Sequence, residues 1–291
     1  MLLMCETTLR AMSAPVRHRT RGRVTQRPHR MTRHTWQVVA SPVGFRSPWT
    51  QTIDLRTEVR VAWRWLRRPG LARRALPAIR AHLGAAPAST AYAFTLFVTW
   101  WTLRGVGDSV EKKLIFSAST NLFNMRHNPV QVLVASAFWT DGGFPWSIII
   151  SFLIVMAYAE RWLGTTRWIF LFATGHIGAT LLTVTGISHA IDRGVIPVKL
   201  TYAADVGTSY GFSAVLAAMA FRFRGTVRLV WAATLTLLLL AALWIGPTFT
   251  DYGHLCAAGI GFLVGALASA GGHFLERKAA AKHERVEALT E

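Results

Sequence analysis

The chain has 291 residues, 52% of them hydrophobic and only 16% charged, with a formal net charge of +18. A water-soluble domain of this length cannot hide so much apolar surface, and the apolar residues gather into long runs, which excludes a soluble enzyme. The two cysteines, Cys5 and Cys256, stand far apart, which excludes a disulfide framework and a zinc site; no cofactor and no metal is expected.

Residues 1–90 hold 17 arginines, no lysine and 3 acidic residues. The first part, 1–50, is rich in Arg, Thr, Pro and His without apolar periodicity and reads as a disordered arm. It lacks the apolar core of a secretory signal peptide, and Met12 and Met31 are alternative starts. No zinc-type or aromatic-interleaved motif accompanies the arginines, so no nucleic acid is expected as partner. A basic segment beside a membrane helix ordinarily sets orientation and attracts anionic lipid headgroups. In 51–87 arginines are interspersed with Val61, Trp63, Trp65, Leu66, Leu71, Leu76 and Ile79. That pattern predicts amphipathic juxtamembrane helices on the inner leaflet, broken at Pro69-Gly70, with a plain linker as the alternative.

Residues 88–276 read as an all-α membrane domain of six helices, because crossing about 30 Å of hydrocarbon takes about 20 residues of helix. The spans fall at 88–103, 144–158, 168–187, 205–221, 227–245 and 251–274. Continuous runs such as 148–159 and 229–245 do not alternate, which excludes a β-barrel. Trp100 and Trp101 close the first span as an interfacial belt would. The loop 104–143 is too long for a bare connection; its apolar residues Val110, Leu114, Ile115 and Leu122, followed by 130–139, predict short helices half-sunk in the outer leaflet. Arg161 and Arg167, then Arg222, Arg224 and Arg228, then Arg277, Lys278 and Lys282 mark one side of the membrane. With the arm, they put both termini, including a tail at 277–291, in the cytoplasm of a multi-pass cell-membrane protein.

Polar residues inside a bilayer are costly, so each raises a functional question. The fourth span opens with Asp205, Gly207, Ser209, Gly211 and Ser213, and the sixth with Asp251, Gly253 and His254, both at the outer surface. Ser209 lies thirteen residues before Arg222, or roughly 20 Å along a helix, and is therefore submerged by about a third of the core. Ser213 is deeper, and His254 is near the outer end of its helix. Small residues Ala257, Gly261 and Gly265 on the sixth span, and Gly207 and Gly211 around Ser209, allow the two backbones to approach. A serine and a histidine from neighbouring helices make the minimal acyl-transfer dyad, the imidazole taking the hydroxyl proton and returning it to the leaving amine. The competing reading is that serines and glycines serve packing and the histidine bonds a neighbour. His176, in Gly175-His176-Ile177-Gly178, reads as a hydrogen-bond partner, Asp205 and Asp251 as helix N-caps, and Glu160-Arg161 as a local ion pair.

In these features the chain resembles the rhomboid family of intramembrane serine proteases, as a divergent member. The matching residues are 134–139 in the long loop, 160–164 closing the second span, Gly207-Thr208-Ser209, and Gly253-His254 with Gly261 seven residues on. The resemblance covers about 90–276 and implies a six-helix bundle in which Ser209 is the nucleophile and His254 the base, cleaving a single-pass membrane protein. Ser213 is the alternative nucleophile, since Tyr210 follows Ser209 where the family has a small residue. The family's oxyanion-binding His and Asn early in the second span have no counterpart at 144–159. The serine's own backbone amide, or a side chain such as Asn121, Asn124 or His176, would have to supply that donor, and loss of one such donor typically costs about 10² to 10³ in rate. The rival expectation is a catalytically inactive rhomboid-like protein that binds membrane helices as clients.

Overall fold

A computed structural model describes residues 46–140 and 145–290. The expected disordered arm lies outside the described residues up to position 45, as does the start of the second span at 144. The described residues are helical throughout, apart from connections and one isolated bridge between Ile53 and Phe223.

Residues 46–54 form a strap rather than part of a loose arm. Ser47 is buried, its amide donates to Glu276 at 2.7 Å, the Thr50 hydroxyl donates to the same carboxylate, and the Ile53 amide donates to the Arg222 carbonyl at 2.7 Å. Composition could not reveal this, because the partners lie at the far end of the chain. Asp54 then caps α1, Leu55–Arg67, by accepting from the amides of Arg56 and Thr57. Pro69, which lacks a donor, and Gly70, at φ 76°, separate α1 from α2, Leu71–Gly84.

Helix α3, Pro87–Leu103, starts on a proline, which needs no amide partner at that position. The Glu160 carboxylate, 1% exposed, accepts from the next two amides, Ala88 at 3.0 Å and Ser89 at 2.7 Å, and from the Thr165 hydroxyl at 2.8 Å. This corrects the expected Glu160-Arg161 pair. Arg161, a third of a helical turn further round, instead donates to His82 Nδ1 at 2.9 Å and lies over the Tyr158 ring. The long loop folds as α4, Asp108–Ala118, α5, Leu122–His127, and α6, Pro129–Phe138.

Helix α7, Trp146–Leu163, carries one π-type turn at Phe152–Met156. It is followed by α8, Thr165–Asp192, a short 3-10 turn at Val198–Tyr202, and α9, Ser209–Met219, which tightens into a 3-10 turn over Ala220–Arg222. Helices α10, Gly225–Ile245, and α11, Phe249–Thr290, complete the chain. Four helices, α7, α8, α10 and α11, are long and apolar enough to cross a membrane by themselves. The first and fourth spans are the shorter α3, at 17 residues, and α9, at 11. Helix α9 can be short because protein surrounds it: it packs chiefly on α8 and α11, and Tyr210, Gly211, Ala214, Val215, Ala217 and Ala218 are all buried. Helix α10 has no buried residue, which fits its all-round apolar sequence and a place at the lipid-facing rim.

The core joins α3, α7, α8 and α9 through Leu96, Phe152, Met156, Trp168, Leu171 and Val215. Aromatic stacking of Tyr92 on Phe152 at 4.9 Å and of Trp168 on Phe172 at 5.2 Å fills its centre. Together these elements make a polytopic, all-α bundle. Two expected boundaries move. The last helix does not stop at 274, because 277–290 contains neither Gly nor Pro and is rich in Ala, Lys and Glu, so α11 runs on through the expected tail. The fourth span begins at Ser209 rather than Asp205, since Gly207 at φ 127° breaks the helix and its amide donates to the Ser136 carbonyl at 2.8 Å.

Candidate active site

Ser209 is the first residue of α9, so its own amide and those next to it are among the donors a helix start leaves unpaired. Segment 203–208 leads into it and is tied to the long loop. The Thr120 amide donates to the Asp205 carbonyl at 2.8 Å, and the Asp205 amide donates to Ser119 Oγ at 2.6 Å. Asp205 is therefore not the N-cap. Thr208 holds that position, and the Asp205 carboxylate accepts from the Tyr210 hydroxyl at 2.7 Å instead. Asp251 is not an N-cap either. It sits at the third position of α11 and accepts from the amide and hydroxyl of Thr248 at 2.9 and 2.6 Å, while its own amide faces Thr248 Oγ1 at 3.3 Å, the reciprocal arrangement of a capping box.

The small residues bring α9 and α11 together. A Cβ at Gly261 would stand 2.1 Å from the Ala214 carbonyl oxygen, and one at Gly253 would stand 2.2 Å from the Tyr210 ring. Gly253 thus exists as a seat for Tyr210, whose ring meets the next residue, His254, edge to face at 5.3 Å between centroids. Among the described residues no hydrogen bond joins Ser209 or Ser213 to His254. Ser213 is 8% exposed, one turn further into the helix.

A narrow cleft, too tight to hold a water molecule, lies beside Ser209, lined by Asp205, Ser209 and Tyr210 from the entry to α9 and its first turn and by Thr120, Ser136 and His176 from the loop and α8. A serine–histidine hydrogen bond does form here, between Ser136 Oγ and His176 Nε2 at 3.2 Å. The same Nε2 lies 3.1 Å from the Leu133 carbonyl, which only accepts, so Nε2 carries the proton and cannot act as base toward Ser136.

The family model for rhomboid-like proteins matches residues 81–273. The chain belongs to the rhomboid-like family. No curated protein matches it, and no solved structure does. The matched stretch starts within α2, runs through the membrane domain and ends within α11.

The three residues considered as oxyanion donors stand differently in this rhomboid-like protein. Asn124 spends its amide on the carbonyls of Phe116 and Ser119, at 2.6 and 3.0 Å. Asn121 caps α5 with its oxygen, at 2.8 Å from the Asn124 amide, while its Nδ2 is buried without a partner. His176 has its Nε2 proton engaged and its buried Nδ1 unpaired, so as a neutral ring it has no donor left for an oxyanion. The sequence reading missed the Tyr210–Asp205 bond. Its signal was present in the spacing, since an acid five residues before a tyrosine at a helix start lies within reach once Gly207 turns the chain.

Proposed function

We propose that this rhomboid-like membrane protein is an intramembrane serine protease in which Ser209 attacks the scissile carbonyl and His254 is the base. The supporting observation is the seating of Tyr210 on Gly253: it presses the start of α9 against the start of α11, the two places that carry the serine and the histidine. In unliganded hydrolases catalytic hydrogen bonds are often long and tighten only around substrate. The unpaired amides at the start of α9 would receive the oxyanion, with Asn121 Nδ2 as an additional donor. The substrate is a single-pass membrane protein that enters sideways from the lipid and unwinds at the cleft. Both termini face the cytoplasm of a cell membrane, a reading supported by the arginines at 161, 167, 222, 224 and 228.

One observation favours a second reading, a non-catalytic protein that holds client helices: the Tyr210 ring, rather than a serine hydroxyl, is the group against His254. Labelling of the purified protein with a fluorophosphonate separates the two. A protease labels, and Ser209→Ala and His254→Ala each abolish labelling whereas Ser213→Ala retains it. If the wild type stays unlabelled under conditions in which an active rhomboid protease labels, the non-catalytic reading stands.

A further inference from the structure

Helices α1 and α2 carry a surface that neither reading of the cleft uses. On α1, Arg56, Arg60, Arg64 and Arg67 recur every three or four residues and line one side, while Val59, Trp63 and Leu66 line the flank beside it, with the Arg67 guanidinium 4.5 Å over the Trp63 ring. Those three are 59%, 54% and 49% exposed, and Leu76 and Ile79 on α2 are 54% and 53% exposed. Large apolar side chains left half bare on two successive helices make a patch rather than scatter. Residues 55–84 contain eight arginines and no lysine, against one acid, Glu58.

The two helices are held in place. Ile53, just before α1, is bonded to the Arg222 carbonyl. At the corner, Arg74 donates to the carbonyls of Trp65, at 3.0 Å, and Arg68, and covers the Trp65 ring. At the far end of α2, His82 Nε2 donates to the Leu153 carbonyl at 3.0 Å, and His82 Nδ1 accepts from Arg161. Helix α2 ends at Gly84 and α3 begins at Pro87, so the patch continues directly into a membrane helix, on the end of the bundle that holds Arg161 and Arg222.

From this continuity and charge we propose that α1 and α2 form an in-plane anchor that docks on a bilayer surface rich in anionic lipid. Val59, Trp63, Leu66, Leu76 and Ile79 seat among the upper acyl chains, and the arginines pair with lipid phosphates. An amphipathic helix binds a bilayer by buried apolar area together with attraction to anionic headgroups, and both components are present on these helices. The proposal is independent of proteolysis.

The test uses the full chain with Cys5 and Cys256 replaced by serine, in nanodiscs of phosphatidylcholine alone or mixed with phosphatidylglycerol. Single spin labels at Val59→Cys, Leu66→Cys and Ile79→Cys report collisions with a water-soluble nickel chelate and with oxygen. A label at Leu238→Cys, on the exposed flank of α10, provides the immersed reference. The expected result is a severalfold fall in nickel collisions at all three positions when phosphatidylglycerol is present, reversed by Arg60→Gln, Arg64→Gln and Arg67→Gln together. Nickel collisions that are equal in the two bilayers, or unaffected by the arginine replacements, overturn the proposal.

Discussion

Tyr210 donates its hydroxyl to Asp205 at 2.7 Å while its ring stands edge-on to His254. One side chain therefore links the non-helical entry to α9 with the first turns of α11, next to Ser209. The Tyr210→Phe variant keeps the ring on Gly253 and His254 and removes only the donor. Asp205 then loses its shortest partner, the Thr120 hydroxyl being 3.5 Å away. A buried acceptor left short of a donor costs about 1–3 kcal/mol, so the thermal unfolding midpoint in detergent should fall. An unchanged midpoint would show that the bond contributes nothing.

Gly261 and Gly259 occupy neighbouring positions on α11 with opposite surroundings. A Cβ at Gly261 meets the Ala214 carbonyl, whereas one at Gly259 meets nothing within 4 Å. Gly261→Ala should destabilise by about 1–3 kcal/mol or more, because backbone cannot move aside as a flexible side chain can. Gly259→Ala should be neutral or gain up to about 1 kcal/mol of helix propensity. Parallel thermal melts of the two variants check this, and equal shifts would mean that α9 and α11 do not approach as closely as described.

Glu160 satisfies two amides at the start of α3 from a fully buried position. Glu160→Ala leaves those amides and the Thr165 hydroxyl without their acceptor, a loss of about 1–3 kcal/mol for each group that water cannot reach. Glu160→Gln preserves one oxygen acceptor and should fall between wild type and alanine. The order of the three midpoints is the readout, and glutamine falling below alanine contradicts the assignment.

The strap at 46–54 is held by Glu276, whose carboxyl burial pushes upward in pKa, but hydrogen bonds from the Thr50 hydroxyl and the Ser47 amide, with His273 and Arg46 nearby, bring it below the usual glutamate value. A carboxyl lowered in the folded state stabilises fully above its unfolded value and loses that contribution as pH falls through the folded one. Limited proteolysis within 46–54 should thus be slow at neutral pH and accelerate under acid conditions, using an acid-tolerant protease calibrated on an unstructured peptide. Glu276→Ala should be cut rapidly at every pH, and a variant cut no faster than wild type would remove Glu276 from the clasp.

Much of the fold could be read without coordinates because membrane helices announce themselves locally. The start of α3 at Pro87 and the end of α10 at Ile245 follow from runs of apolar residues bounded by Arg, Gly and Pro. The subdivision of the long loop is equally local, with Asn121 capping α5 and Pro129 opening α6. Acids near helix ends were harder. Asp205 and Asp251 suit an N-cap and Glu160 suits a local pair with Arg161, yet the first bonds a tyrosine, the second completes a capping box and the third caps a different helix.

The sequence by itself determined that this chain crosses a membrane, that its helices fall roughly where they do, and that a serine and a histidine lie at the same end of the bundle. Each of these depends on residues close together in the chain, through hydrophobic length, helix rise and charge bias. Tertiary structure alone decided that Tyr210 lies against His254, that Ser136 bonds His176, and that Glu276 clasps Ser47 from 229 residues away. Those outcomes depend on which faces of separate helices meet, and such meetings are set by packing of small residues such as Gly253 and Gly261 against whatever the neighbouring helix presents.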